Sequence, residues 1–489
     1  MVDKQAMAGV IKKGAASGAP TCRQNGAAQK NLPEGWEWKT LGEIAEVVGG
    51  GTPRTNDPSN FENGTIPWVT PADLSGYISK KIGHGSRYIT EKGLSSSSAR
   101  LLPAGTVLFT SRAPIGYVAI ASNPISTNQG FKSFVLKEGI LPDYVYWYLK
   151  GSKDLAESLA SGTTFLELSG AKAKQLPIPL APLDQQKLIV AEIEKQFSRL
   201  DEAFAGLKRV KANLKRYKAS VLKAAVEGKL TEEWRKAHPN VETGAELLKR
   251  ILAERKKKWE EKNHGKKYKE PVVPDTSNLP DLPKGWGWAT IDQLVAPEPN
   301  SITDGPFGSN LKTSHYTNEG PRVIRLQNIG DGFFVDERAY VSEEHFSFLK
   351  KHQVLSGDLV IAALGDSPPR SCVIPPTLGP ALVKADCIRF HPHASVSNLY
   401  INFALNSKPT RERTKRLIHG VGRPRLNLSE IKMITMPLPP HAEQISIVAE
   451  VARFLSVAEE IECTVETDLN RAERLRQGIL QKAFSGNLV

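Results

Sequence analysis

The stretch LPEGWEWKTLGEI, residues 32–44, returns as LPKGWGWATIDQL at residues 282–294, which sets Trp36 and Trp38 against Trp286 and Trp288 at an offset of 250. Recurrence with both tryptophans in place marks a duplicated unit. Gly105 in PAGTVLF matches Gly357 in LSGDLVI at an offset of 252. PLAPLDQQKLIVAEIE from Pro179 matches PLPPHAEQISIVAEVA from Pro437, and Ala225-Val226-Glu227-Gly228 matches Ala483-Phe484-Ser485-Gly486, both at 258. The offset drifts only in the middle of each copy. Each unit therefore has fixed ends and a middle that tolerates insertion, as loops on a common scaffold do.

Within each unit the texture changes once. The first part, about 32–182 and 282–440, is rich in Gly, Pro and short β-prone runs such as Thr106-Val-Leu-Phe-Thr, Tyr117-Val-Ala-Ile and Leu359-Val-Ile-Ala, the pattern of a mixed α/β globule. The second part is helical. From Ile193 apolar residues fall at Phe197, Leu200, Phe204, Leu207, Val210, Leu214, Tyr217, Val221 and Ala224, in steps of four and three with one skipped residue. The copy runs Val448, Val451, Leu455, Ala458, Ile461, Val465, Leu469, Ala472, Leu475, Ile479 and Ala483, and Gly228 and Gly486 stand where a helix C-cap is expected.

A long helix with an apolar seam is stable only when that seam is packed. Two such helices in one chain supply each other's partner, whereas an oligomerisation coil between chains is the alternative. The expected fold is α+β: two mixed α/β globules separated by a pair of long antiparallel coiled-coil helices, with a pseudo-two-fold internal repeat. Its segments are a disordered tail (1–31), a first globule (32–182), a first spacer helix (183–235), a basic linker (236–281), a second globule (282–440) and a second spacer helix (441–489). In the linker, LKRILAERKKKWEEKNHGKKYKE (248–270) carries ten cations to four anions, a pattern expected of a solvated helix face.

The chain has 489 residues, and its 65 Lys+Arg against 52 Asp+Glu leave a formal charge of +13, which points to a polyanionic partner. No run approaches the roughly 18 consecutive apolar residues of a membrane span, and the N-terminus lacks the apolar core of a signal peptide, so a cytoplasmic location is expected. Cys22, Cys372, Cys387 and Cys463 lie far apart, without the spacing of a zinc site or a disulfide framework, and read as reduced thiols.

Catalytic signatures are missing. There is no GxxxxGK[ST] loop, and Gly49-Gly50-Gly51-Thr52-Pro53 has a proline where a helix would have to continue, so it reads as a turn. Ser367-Pro368-Pro369-Arg370 is similar to the motif with which amino-methyltransferases grip a flipped base, but Arg370 replaces the stacking aromatic and no cofactor loop precedes it. Pro-Asp pairs and Glu-x-Lys triplets occur without gathering two carboxylates and a lysine. The pair His391-x-His393 reads as a surface turn.

Taken together, two degenerate units opened by LPxGWxW, joined through PLAPLDQQ and PLPPHAEQ to long helices ending in Ala-x-x-Gly, closely resemble the DNA specificity subunit of type I restriction-modification systems. The resemblance runs from Leu32 to Val489 and includes GKLTEEWR (228–235) and Ile125-Ser126-Thr127-Asn128-Gln129-Gly130. One departure is Asp184-Gln185-Gln186, where the family usually has an EQ pair. The resemblance implies a non-catalytic subunit with two target recognition domains, each reading half of a bipartite site on double-stranded DNA. It implies helices that set the gap and dock two modification (methyltransferase) subunits, with two restriction (endonuclease/translocase) subunits completing an ATP-dependent assembly. Cofactors are expected to be none in this chain, with S-adenosylmethionine, ATP and Mg in the partners. Competing readings are a fused restriction-modification enzyme and a coiled-coil adaptor without a nucleic-acid role.

The middles of the two globules differ greatly, so two different readers on one frame imply an asymmetric site. Candidate DNA-binding residues are polar or cationic: Thr52, Arg54, Thr70, Ser111, Arg112, Asn128, Gln129, Lys132, Thr163 and Thr164 in the first globule, and Ser309, Asn310, Lys312, Arg325, Gln327, Asn328, Arg370, Lys384, Arg423 and Arg425 in the second. Arg can bind guanine and Asn or Gln adenine in the major groove, while many such residues contact phosphate instead. Trp36, Trp38, Trp286 and Trp288, at the start of each unit, are expected in the core rather than as base-stacking platforms.

Overall fold

Glu37–Thr40 pairs antiparallel with Pro177–Leu180 in the computed structural model, and Gly287–Thr290 pairs in the same way with Thr435–Leu438. Trp38 stands opposite Pro179 in the first pair and Trp288 opposite Pro437 in the second, so the two ends of each repeat are stitched together in the same register. The structure describes residues 32–162, 166–365, 368–420 and 422–489. The tail at 1–31 with Cys22, and also Thr163, Thr164 and Ser367, lie outside the described residues.

The chain divides into two units, one reaching to Ala205 and taking in Leu469–Val489, the other formed by Gly206–Asp468. The first holds a five-stranded sheet in the order Ala45–Gly49, Lys132–Leu136, Val107–Ser111, Ile115–Ala121, Lys81–Ile82, and a three-stranded sheet in which Ile66–Val69 lies between Arg87–Ile89 and Ser126–Thr127. The second holds two four-stranded sheets. In one, Cys387–Phe390 and Leu359–Ala362 lie between Ile302–Thr303 and Arg370–Val373. In the other, Tyr316–Ile324 and Ala381–Val383 lie between Tyr340–Val341 and Gln353–Val354.

The two long helices run from Leu183 to Val226 and from His441 to Ala483, and the pairing inside each unit is antiparallel. In the first unit Ile189 and Ile193 share a core with Leu480 and Ala483, and Asp201, further along its helix, pairs with Arg476. In the second, Lys211 meets Glu466 at 2.6 Å and Lys218 meets Glu462 at 2.5 Å. The apolar seam is only partly closed. Leu214, Val221, Ala458 and Val465 are buried, but Val210, Tyr217, Ile461 and Leu475 stay 40–47% exposed, because a single partner helix covers one side of an apolar stripe. Each helix stops at a glycine with positive φ, +70° at Gly228 and +74° at Gly486, as a C-cap requires.

The basic linker contains the expected helix, but one edge of it is packed rather than solvated. Gly244–Lys262 is a helix opened by a Thr243–Glu246 capping box, and Leu247 and Ile251 are fully buried in the core of the second unit. Its charge hides a short apolar stripe of Leu247, Leu248 and Ile251. That helix also corrects the reading of His393 as part of a surface turn. His393 is 3% exposed with Nε2 at 3.2 Å from Glu254, and His391 Nδ1 lies 2.6 Å from the buried Asp358. The His393 ring is buried against Glu254, whereas the His391 ring stays 38% exposed beside Asp358. Trp36 and Trp286 are core residues, as expected, but Trp38 is 45% exposed, since a two-stranded ribbon leaves one face uncovered. Trp288 is half-buried, with the Arg413 guanidinium 5.0 Å from its ring. Among the described cysteines Cys372 and Cys387 are buried and Cys463 exposed, all as free thiols.

Candidate nucleic-acid interface

Both globules build the same backbone feature from unrelated residues. In the first, Ile66–Val69 runs parallel to Ser126–Thr127, and the chain leaves the strand ends through Thr70 and Asn128. In the second, Tyr316–Ile324 runs parallel to Ala381–Val383, with Arg325 and Lys384 at the exits. The matching bonds are nearly identical: Asn128 N–H donates to Val69 O at 2.9 Å and Lys384 N–H to Ile324 O at 2.8 Å. A 3₁₀ turn follows at once in each, with the Thr70 N–H donating to Asp73 at 2.8 Å and the Arg325 N–H to Asn328 at 2.8 Å. Carboxyl ends of parallel strands release their loops side by side and are a common place for ligands to bind.

A glycine turn passes close over each exit. A Cβ on Gly50 would lie 1.9 Å from the Asn128 carbonyl oxygen, and one on Gly305 would lie 2.1 Å from the Lys384 carbonyl carbon. A Cβ on Gly51 would lie 2.1 Å from the Ala99 nitrogen, so close approach explains Gly50 and Gly51 without a phosphate loop. It also brings Thr52 to the exit in the first globule and Asp304 in the second.

Around the first exit the structure assembles most of the residues marked in the sequence. The Ser111 N–H donates to Gly130 O at 2.7 Å, and Arg112 and Lys132 both approach Glu167, at 3.6 and 3.9 Å. Burial of the Lys132 amine lowers its pKa, against the pull of Glu167. Gln129 is exposed, Thr70 and Asn128 are half-buried, and Thr52 Oγ1 is buried without a hydrogen-bond partner among the described residues. Ser111 is buried, its hydroxyl donating to Gly130 O at 3.1 Å, which makes it part of the frame. Arg54 is exposed on a turn of its own, its carbonyl accepting from the Asn60 amide.

Around the second exit, Lys384 Nζ lies 3.1 Å from the Tyr316 hydroxyl, Arg425 pairs with Asp386 at 2.7 Å and Arg325 approaches Glu337 at 3.9 Å. Gln327 and Arg423 are exposed, and Arg370 is half-buried at the start of its strand. Asn328 is fully buried, its amide donating to Val335 O and Glu337 O, so it shapes the loop that carries Arg325. Ser309, Asn310 and Lys312 are exposed on a separate turn region. Asp304 is pushed up to about 6, first by burial and further by the charge of Asp386, against hydrogen bonds from the Gly305 and Asp386 N–H groups.

Two charged positions had no mark in the sequence, Glu167 and Asp386. Sequence reasoning sought donors for DNA and passed over acids, and only the fold sets Glu167 between Arg112 and Lys132. Among the described residues no group of His, Cys, Asp and Glu could hold a metal ion, and no helix is long and apolar enough to cross a membrane.

Residues 33–215 match the family described as type I restriction modification DNA specificity domain. The MjaIX specificity subunit of Methanocaldococcus jannaschii is 31% identical over 318 residues, which are 64% of this chain and 62% of that protein. The EcoR124I/EcoR124II specificity subunit of Escherichia coli is 33% identical over 165 residues, 32% of this chain and 40% of that protein. The chain thus spans less than two thirds of the length of these two relatives. A chain solved in work on complex assembly and conformational transition of the type I R-M system shares the fold at a TM-score of 0.64 and 20% identity, over 94% of this chain and 99% of that one.

Proposed function

We infer the role of this chain from the family to which it belongs, the DNA specificity subunits of type I restriction-modification systems. It is a sequence-specificity subunit, and each globule reads one half of an asymmetric bipartite site on duplex DNA. The observation that carries this reading is the pair of strand exits, where one backbone frame presents Thr70, Asn128 and Gln129 in the first globule but Arg325, Gln327 and Lys384 in the second. A shared frame fixes orientation on the duplex, and different side chains on it read different bases.

The chain is the non-catalytic member of its assembly. Methyl transfer with S-adenosylmethionine and ATP-driven translocation and cleavage belong to two modification and two restriction subunits. The half-exposed apolar residues Val210, Tyr217, Ile461 and Leu475 support docking of modification subunits on the long helices, because an open apolar stripe on a stable helix favours a further partner. Exchange of residues of about 40–175 for the matching region of another family member tests the reading. Methylation-sensitive sequencing then shows one half-site changed and the other retained; a change in both half-sites together would refute two independent readers.

A further inference from the structure

The two globules carry opposite charges at one structural position. In the first, Glu167 exchanges backbone bonds with Ser161, N–H to O at 3.0 Å and O from N–H at 3.1 Å, and the following Leu168 N–H donates to Ser111 O at 2.9 Å. In the second, Arg425 exchanges the same two bonds with His419 at 2.9 and 3.1 Å, and the following Leu426 N–H donates to Ala363 O at 2.8 Å. Bridges to the strand ends also agree, Arg112 with Glu167 and Leu364 with Arg425. Backbone alone holds the position in both copies, so neither side chain is needed to form it. Their side chains are equally open, 43% exposed for Glu167 and 44% for Arg425.

A carboxylate facing a polyanion is costly unless cations flank it. Arg112 and Lys132 do so here, and they leave the trio with net positive charge. A carboxylate has only acceptors, so its base partner is an exocyclic amino group, N4 of cytosine or N6 of adenine; a guanidinium has only donors and suits O6 and N7 of guanine. Resting on the DNA-reading role above, we propose that Glu167 and Arg425 are equivalent specificity-determining residues. Glu167 accepts a hydrogen bond from a base amino group in the half-site of the first globule, and Arg425 donates to a guanine in the half-site of the second. Asp386 pre-orients Arg425 from behind, as Arg112 and Lys132 pre-orient Glu167.

The test uses the full chain assembled with its modification subunits and a duplex library randomised across both half-sites, bound sequences being read out for each variant. Glu167→Ala lowers the preference at a single position of one half-site by about tenfold, and Arg425→Ala does so at a single position of the other. Each unaltered half-site certifies that its variant is folded and assembled. If Glu167→Ala prevents assembly, Glu167→Gln, which keeps the shape and adds a donor, gives the same comparison. Unchanged base preference with only a uniform loss of affinity would make both residues phosphate-side or structural groups and overturn the proposal, as would a change spread over both half-sites. Failure of the unmutated complex to enrich any sequence would remove the DNA-reading role itself, before any variant is compared.

Discussion

Trp286 donates its indole N–H to Glu443 at 2.8 Å across 157 residues of chain. The carboxylate is fully buried and also accepts from Thr231 at 2.7 Å and from Arg235, whose guanidinium reaches back to the Gly228 carbonyl at the end of the first long helix. The counterpart of Glu443 in the other repeat is Gln185, which accepts from Trp36 at 2.6 Å. The Asp-Gln-Gln sequence thus has a physical basis: an acid stands where an arginine meets it, and a neutral amide stands where the tryptophan N–H is the bonded donor. Glu443→Ala strands the Arg235 charge and the Trp286 and Thr231 donors together. A loss of about 3–5 kcal/mol is expected in urea unfolding of the second unit. The reciprocal Gln185→Glu, at an exposed position, keeps an acceptor for the Trp36 N–H and should change stability by less than about 0.5 kcal/mol; indifference to Glu443→Ala would remove this network as a structural element.

Gly486 adopts φ +74° against Pro33, and a Cβ there would lie 1.9 Å from the proline Cγ. In the second unit Gly228, at φ +70°, would set its Cβ 2.6 Å from Pro283 Cγ. Each helix end is therefore seated on the proline of an LPxGWxW stretch. Gly486→Ala combines left-handed strain with a backbone displacement and should cost more than the about 1 kcal/mol of an open C-cap glycine. Native-state hydrogen exchange should show faster opening of the last turns before Ala483, with the second unit unaffected.

Asp304 lies above its ordinary 3.8, at about 6, chiefly because it is buried. An acid that holds its proton more tightly folded than unfolded contributes stability that is complete below about pH 4 and is lost as pH rises through about 6. Asp304→Asn keeps the acceptor for the Gly305 and Asp386 N–H groups and removes the charge. The variant should match the parent in urea melts at pH 4 and exceed it by about 2 kcal/mol at pH 7.5. A gain that is equal at both pH values would exclude ionisation of Asp304 as the cause.

The ends of each repeat were legible in sequence because they obey strong local rules: the Trp36 and Trp286 turns, the seams and the glycine caps each recur. The parallel strand pairs were not legible. Val69 beside Thr127 and Ile324 beside Val383 join segments that are short, differ between the copies and meet only through long connections. Charge showed only the solvated face of 244–262 and hid the edge where Leu247, Leu248 and Ile251 dock on the core of the second unit. Acidic residues were invisible as readers, since the place of Glu167 depends on Arg112 and Lys132, which lie distant in sequence.

The last prediction tests the proposal that the long helices space the half-sites. One heptad inserted in register within Phe204–Val221, with a matching heptad within Ile461–Ile479, keeps the apolar seam continuous on both helices. Seven residues add about 10 Å of helix, the length of roughly three base pairs of DNA. Three base pairs also turn the duplex by about a quarter to a third of its repeat of roughly 10.5. Methylation-sensitive sequencing should then find both half-sites unchanged, separated by a gap about three base pairs longer, or no modification where the turn takes the second half-site out of reach. Insertion into one helix alone breaks the pairing of Lys211 with Glu466 and of Lys218 with Glu462, and should lower stability rather than change the gap. Recovery of the original site with its original gap from the paired variant would leave the helices a docking role and no part in the spacing.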